Sequence, residues 1–209
     1  MQILAHRGFW KRPEERNTLN ALELALSVGY GLETDVRDAA GELVIAHDPP
    51  VGPCPTLAAL LALSAAHGPQ LPLALNLKAD GLRSRLKSLL QAQPSQNYFC
   101  FDMSVPETLA CRRDGLRYFT RESEFEPSPV LYAEAAGVWL DMFTSDWLQP
   151  TDLRRHLDAG KEVAVVSPEL HGRPHLGFWQ RLRDGGFGRE PRVMLCTDLP
   201  AHAAAFFHE

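Results

Sequence analysis

Residues 3–36 read ILAHRGFWKRPEERNTLNALELALSVGYGLETDV, and the fold is decided by how this stretch is parsed. Ile3-Leu4-Ala5 is a short apolar strand that stops at His6-Arg7-Gly8. Phe9 to Arg16 is polar and contains Pro13, which marks a loop. Asn17 or Thr18 caps a helix that sets Leu19, Leu22, Leu26 and Val28 on roughly one side, and Gly29 closes it. Gly31 to Val36 is the second strand. Ala40-Gly41-Glu42 then turns the chain, and Leu43 to Ala46 returns as an extended segment ending at His47.

The same alternation runs on. Asp48 to Pro55 is loop, Thr56 caps a helix reaching Ala66, and Leu71 to Lys78 is a strand. Asp80 caps a helix carrying Leu82, Leu86, Leu89 and Leu90, and Tyr98 to Phe101 is a strand ending at Asp102. Ser104 and Glu107 form a capping box for a helix that stops near Gly115. Leu116 to Phe119 is strand-like and ends at Thr120-Arg121, and Ser128 to Ala136 reads as a short helix. Strands at Gly137 to Leu140, Glu162 to Val166 and Arg192 to Cys196 then alternate with helices at Pro150 to Asp158, His175 to Arg183 and Ala201 to Phe207. With the Leu43 segment set aside as a hairpin return, eight strands remain. The predicted class is α/β, a compact (β/α)8 TIM-type barrel spanning 1–209 as one domain, without a sizeable insertion. An open doubly wound sheet is the alternative, but no glycine-rich dinucleotide fingerprint follows the first strand.

The net charge of −5 offers no general basic surface for nucleic acid, although a local phosphate pocket needs only a few cations. No apolar run approaches the ~20 residues that span a bilayer, so no integral membrane contact is expected. The opening Met1-Gln2-Ile3-Leu4-Ala5-His6 lacks a secretory pattern and enters a strand at once. Cys54, Cys100, Cys111 and Cys196 are scattered without CxxC spacing, which predicts free thiols in a reducing cytoplasm. Oligomeric state leaves no mark on the sequence.

Polar residues gather where strands end: His6-Arg7, Glu33 and Asp35, Asn76 and Lys78, Asp102, Arg121, Asp141, Glu169 and Asp198. In a parallel barrel those ends form the catalytic face. Glu33 and Asp35 are two apart on a strand and share a face. Two confined carboxylates stay ionised only with a cation beside them, and oxygen donors suit Mg²⁺ or Ca²⁺. Asn76 and Lys78 repeat the spacing; the amide oxygen suits a metal and the ammonium a phosphate oxygen. His6 and His47 suit proton transfer near neutral pH, one as base and one as acid, and Arg7 suits a forked grip on phosphate. Phe9 and Trp10 follow directly and are candidate pocket walls. The remaining histidines read as structural, with His171 in Ser167-Pro-Glu-Leu-His-Gly-Arg173 placed where a substrate loop would sit.

Ala5-His-Arg-Gly8, Asn17-Thr18, Glu33-Thr-Asp-Val36 and His47-Asp48-Pro49 resemble the glycerophosphodiester phosphodiesterase family, within the phosphatidylinositol-phospholipase-C-like barrels. Thr56-Leu57, Leu75-Asn-Leu-Lys78, Phe101-Asp102 and Thr197-Asp-Leu-Pro200 extend the resemblance along the chain. It implies a (β/α)8 barrel, one Mg²⁺ or Ca²⁺, and hydrolysis of a small phosphodiester to a phosphomonoester and an alcohol. It makes His6 and His47 the acid and base, Glu33 and Asp35 metal ligands, and Arg7 and Lys78 phosphate ligands. Asn76 stands where the family usually has a third metal-binding glutamate. An amide keeps the oxygen but drops a charge, which implies weaker binding or Ca²⁺; Asp102, Asp141 and Glu169 are candidates to compensate. The family's Pro-Glu-Asn-Thr reads Glu15-Arg16-Asn17-Thr18 here. The short stretch after His47, with no sizeable insertion following, implies a more open pocket or one suited to an unusual diester. Two other outcomes stay open: a lyase that releases a cyclic phosphate, and a non-catalytic phosphate- or metabolite-binding barrel.

Overall fold

The structure is a computed structural model that describes residues 1–208. Strands and helices alternate in the order β1 (Gln2–His6), α1 (Leu19–Ser27), β2 (Gly31–Ala39), β3 (Glu42–Ile45), α2 (Leu57–His67), β4 (Leu73–Leu77), α3 (Arg83–Gln91), β5 (Tyr98–Phe101) and α4 (Val105–Arg113). They continue as β6 (Phe119–Glu122), β7 (Gly137–Leu140), α5 (Pro150–Asp158), β8 (Glu162–Val166), α6 (Leu176–Asp184), β9 (Val193–Thr197) and α7 (Pro200–His208). This is the expected (β/α)8 barrel, with β3 the additional antiparallel strand.

Contacts divide the chain into two compact units. Ala5–Tyr118 carries strands in the order β5-β4-β2-β1. β2 pairs with β4 in parallel, Asp35 opposite Asn76, and its outer end pairs with β3 in antiparallel, Val36 opposite Ile45. β5 lies parallel on β4, with Phe101 opposite Asn76. The unit's core is Ala5 at its edge, Leu22 and Leu26 of α1, Leu57 and Leu60 of α2, and Leu73, Leu75, Phe99 and Phe101 of the strands. The second unit, Met1–Leu4 with Phe119–Glu209, carries β6, β7, β8 and β9 in parallel succession. Phe119, Val138, Leu140, Val163, Val165, Leu195 and Trp179 fill it.

Local chemistry explains most boundaries. Thr18 is the cap of α1, its hydroxyl accepting from the Ala21 amide, and Thr56 does the same for Ala59 in α2. Gly8, at φ +99°, lets the turn after β1 lie against α1: a Cβ there would sit 2.7 Å from the Ala21 carbonyl carbon.

Three expectations are corrected. Ser128 to Ala136 forms turns, not a helix. Its carbonyls are taken from outside: Thr120 donates to the Val130 oxygen, and the Lys161 ammonium to those of Ala133 and Ala135. Asp80 does not cap α3, because its carboxylate accepts from the Ser104 hydroxyl and Leu82 occupies the cap position. Arg121 lies within β6, which starts later than expected and runs to Glu122.

Candidate active site

The candidate acid–base, phosphate and metal side chains, His6, Arg7, Glu33, Asp35, His47, Asn76 and Lys78, lie in the Ala5–Tyr118 unit, whereas Arg121, Asp141, Glu169 and Asp198 lie in the other. His6 is the last residue of β1, and the Arg7 amide donates to the Glu33 carbonyl at 2.9 Å, tying the strand end to β2. Arg7 takes φ +57° and Asn17 φ +59°, left-handed conformations that cost an L residue energy. The Asn17 amide nitrogen of the backbone donates to the Arg7 carbonyl, so the two strained residues hold each other.

The centre of the site is Asp35, fully buried. Its Oδ2 stands 3.0 Å from Arg7 Nε and accepts from Asn17 Nδ2 at 2.9 Å. Its Oδ1 lies 3.2 Å from Lys78 Nζ. Asn17 Oδ1 in turn accepts from Thr34 Oγ1, which fixes the amide's orientation. Burial raises the Asp35 carboxyl's pKa, but Arg7, Lys78 and the Asn17 hydrogen bond outweigh it and hold the value below the usual range. Asp35 is thus favoured as the anion that gathers two cations.

Glu33 behaves oppositely. It is buried, with His6 Nε2 3.8 Å from its Oε2 and no hydrogen-bond partner on that oxygen. Burial pushes its carboxyl up to about 7; His6 pulls down and Asp35 pushes further up. Asn76 is buried too. Its Nδ2 approaches Asp102 Oδ2 at 3.4 Å, and its Oδ1 has no partner. Two buried oxygens, one carboxylate and one amide, thus want a positive partner, which the hard-cation chemistry of Mg²⁺ or Ca²⁺ fits. Among the described residues, however, no group of three or more His, Cys, Asp or Glu side chains converges as a metal nest. Asp35 is paired with Arg7, Lys78 and Asn17.

His47 sits just beyond β3, after the Ala46 amide that donates to the Asp35 carbonyl. Its ring is 45% exposed, with Nδ1 2.9 Å from Asp48 Oδ1, and its carbonyl accepts from Arg37. The structure joins His6 to Glu33, Arg7 and Lys78 to Asp35, and Asn76 to Asp102; His47 is tied in through the backbone of the neighbouring Ala46. Phe9 packs edge-on against Tyr30, and Trp10 donates to the His6 carbonyl beneath the Arg16 guanidinium. Glu15 turns back to the Lys11 and Arg12 amides and closes its own loop.

Sequence reasoning missed Asn17 as the brace of Asp35 and treated it as a cap. Its signal was chemical: asparagine is the non-glycine residue that best tolerates left-handed backbone and carries both a donor and an acceptor. In the second unit, His171 Nε2 pairs with Asp141 Oδ1 at 2.7 Å, and fully buried His156 stands between Tyr132 and Glu122.

No protein-family model and no curated protein matches the chain by sequence. Solved structures do match by fold. A candidate glycerophosphodiester phosphodiesterase from Galdieria sulphuraria superposes with a TM-score of 0.77 at 20% identity, covering 100% of this chain and 98% of that one. An Oleispira antarctica phosphodiesterase, solved with the product sn-glycerol-3-phosphate, gives 0.72 at 17%, covering 100% and 97%. A Ca²⁺-dependent phosphatidylinositol-specific phospholipase C from Streptomyces antibioticus gives 0.54 at 10%, covering 97% and 95%. The class this defines is the (β/α)8 barrel shared by glycerophosphodiester phosphodiesterases and phosphatidylinositol-specific phospholipases C. This chain has their fold over its full length.

Proposed function

We propose that the chain is a member of the glycerophosphodiester phosphodiesterase family and hydrolyses a small alcohol phosphodiester, a glycerophosphodiester or a close relative. The observation that carries this reading is the Arg7–Asp35–Lys78 triad: a buried anion holds two cations side by side at the ends of β1 and β4. Two cations on one buried carboxylate leave a positive charge over, which suits a second anion. Arg7 presents a planar fork and Lys78 a point charge, and together they match a phosphodiester's paired oxygens.

His6 and His47 then move the protons, one taking a proton from the attacking hydroxyl and the other giving one to the leaving alcohol oxygen. Such a pair contributes roughly 10²–10⁴-fold. Glu33 Oε2 lies 3.8 Å from His6 Nε2, close enough to orient the ring. Glu33, Asp35 and Asn76 are the side chains offered to a divalent cation, Mg²⁺ or Ca²⁺, which when bound would polarise the phosphoryl oxygen. Free thiols at all four cysteines, three of them buried, support a reducing cytoplasmic setting. No described helix is long and apolar enough to cross a membrane.

The test is phosphorus NMR of glycerophosphodiesters incubated with the protein and Mg²⁺ or Ca²⁺, with a chelator control. A phosphomonoester that disappears on chelation supports the reading. Accumulation of a cyclic phosphate makes the enzyme a lyase. A non-catalytic phosphate-binding barrel is the second reading, favoured by the full engagement of Asp35 with Arg7, Lys78 and Asn17. Metal-independent binding without turnover would establish it.

A further inference from the structure

One peptide bond joins His6, a candidate proton carrier, to Arg7, a candidate phosphate ligand. A trans peptide is flat, and its N–H and C=O point in opposite directions. The N–H of this one, on Arg7, reaches β2 and donates to the Glu33 carbonyl at 2.9 Å. Its C=O, on His6, is therefore aimed away from β2 at the point where β1 ends. Trp10 meets it there, its indole Nε1 donating to the His6 oxygen at 2.9 Å. The next carbonyl, of Arg7, accepts from the Asn17 amide at 2.9 Å. Three successive backbone groups are thus held by three different residues, and Trp10 alone does so with a side chain.

The loop is built to bring the indole back to the strand end. Arg7 at φ +57° and Gly8 at φ +99° reverse the chain directly after β1. The Phe9 amide then donates to the Ala21 carbonyl at 2.8 Å, which fixes the return against α1. The Arg16 guanidinium carbon lies 4.1 Å from the centre of the Trp10 ring, and this attraction of cation and ring face sets the plane of the indole. Asn17 follows Arg16 at once, and its side chain braces Asp35. The Trp10 ring is half-buried, so packing there asks only for an apolar side chain. The N–H aimed at the His6 carbonyl adds a direction that packing does not need.

We propose that Trp10 is a positioning residue for the phosphodiesterase reaction: its indole N–H holds the His6–Arg7 peptide against rotation and so sets the direction from which the His6 imidazole reaches the substrate. The inference rests on the function proposed above. Arg7 has a second anchor in Asp35, 3.0 Å from its Nε, so its grip on phosphate survives a looser peptide. Loss of the indole N–H therefore falls on proton transfer, read as kcat, and not on substrate binding, read as KM. A displacement of about 1 Å in a reacting group is enough to cost up to about 10²-fold in rate.

The experiment compares wild type, Trp10→Phe and a protein with β-(3-benzothienyl)alanine at position 10, which keeps both rings and puts sulfur in place of the N–H. Each is followed by steady-state hydrolysis of glycerophosphocholine and glycerophosphoglycerol with MgCl₂ or CaCl₂, by hydrogen exchange of the Arg7 amide in NMR spectra, and by thermal melting. In both altered proteins kcat is expected to fall roughly tenfold or more while KM stays close to wild type. The Arg7 amide is expected to exchange faster, and melting to drop by about 2–4 °C, the scale of one hydrogen bond in a chain of this size. Wild-type kcat in the folded altered proteins overturns the proposal and leaves the phosphodiesterase reading standing. So does an Arg7 amide that exchanges as in wild type, or a loss confined to KM. If Trp10→Phe does not fold, the sulfur isostere is judged by the same outcomes. A wild-type protein that hydrolyses neither diester overturns both the proposal and the reading beneath it.

Discussion

Asp35 and Asn76 face each other in the register of β2 and β4, yet they serve different partners: Asp35 holds Arg7 and Lys78, and Asn76 holds Asp102. Two adjacent strand positions thus anchor two separate sets of polar contacts.

The first consequence concerns stability. Removing the charge of Asp35 leaves Arg7 and Lys78 close together with nothing between them. Asp35→Asn should cost about 3 kcal/mol, the scale of breaking a buried ion pair by deleting one partner. Urea denaturation measures it. A loss below about 1 kcal/mol would mean that solvent already screens both cations.

Arg7→Lys keeps the charge and the pairing with Asp35 but loses the planar fork. Under the proposed function, KM for a phosphodiester should rise roughly tenfold while the melting temperature changes little. Steady-state kinetics and melting separate the two; an unchanged KM would take phosphate binding away from Arg7.

Gly8→Ala should be among the more damaging single changes in this unit. The added Cβ meets the Ala21 backbone at 2.7 Å, and the residue keeps φ +99°. Backbone strain and overpacking add to a loss of at least about 2 kcal/mol. Thermal melting reads it, and a melt equal to wild type would mean that β1 and α1 separate at little cost.

Glu124 gives a pH signature in the second unit. Its carboxylate accepts from the amides of Phe143, Thr144 and Ser145 and from the Thr144 hydroxyl. Burial opposes ionisation, but these bonds win and lower the pKa to about 2 from the ordinary 4.5. A depressed folded value means the stabilisation is present above about pH 4.5 and is lost as pH falls toward 2. Between those values, wild type should lose more stability than Glu124→Gln in parallel acid titrations followed by circular dichroism. Identical acid profiles would mean the loop contacts form equally well to a neutral acid.

Particular residues show how much was legible beforehand. The strand ends at His6, Lys78 and Phe101 were readable because apolar runs of strand length stop at charged residues, and α5 was bounded by Pro150 and Gly160, whereas β2 runs past the expected Val36 to Ala39, where it pairs with β3. The Ser128 to Ala136 segment was misread because Tyr132-Ala-Glu-Ala-Ala136 favours helix locally. That propensity is overridden by Thr120 and Lys161, distant in sequence, which claim its carbonyls. The candidate residues were picked out by type, spacing and family resemblance, but their pairing was not legible. Whether Asp35 would face a metal or two cations depends on the left-handed turns at Arg7 and Asn17, which spacing does not reveal.

The most direct test of the central claim is turnover of a glycerophosphodiester by wild type, His6→Ala and His47→Ala at matched cation concentration, with melting curves alongside. The account predicts measurable wild-type hydrolysis and a fall of roughly 10²–10⁴-fold in each variant without loss of fold. Wild-type rates in either folded variant would contradict the histidine pair, and no hydrolysis by the wild-type protein of any diester offered would contradict the enzyme.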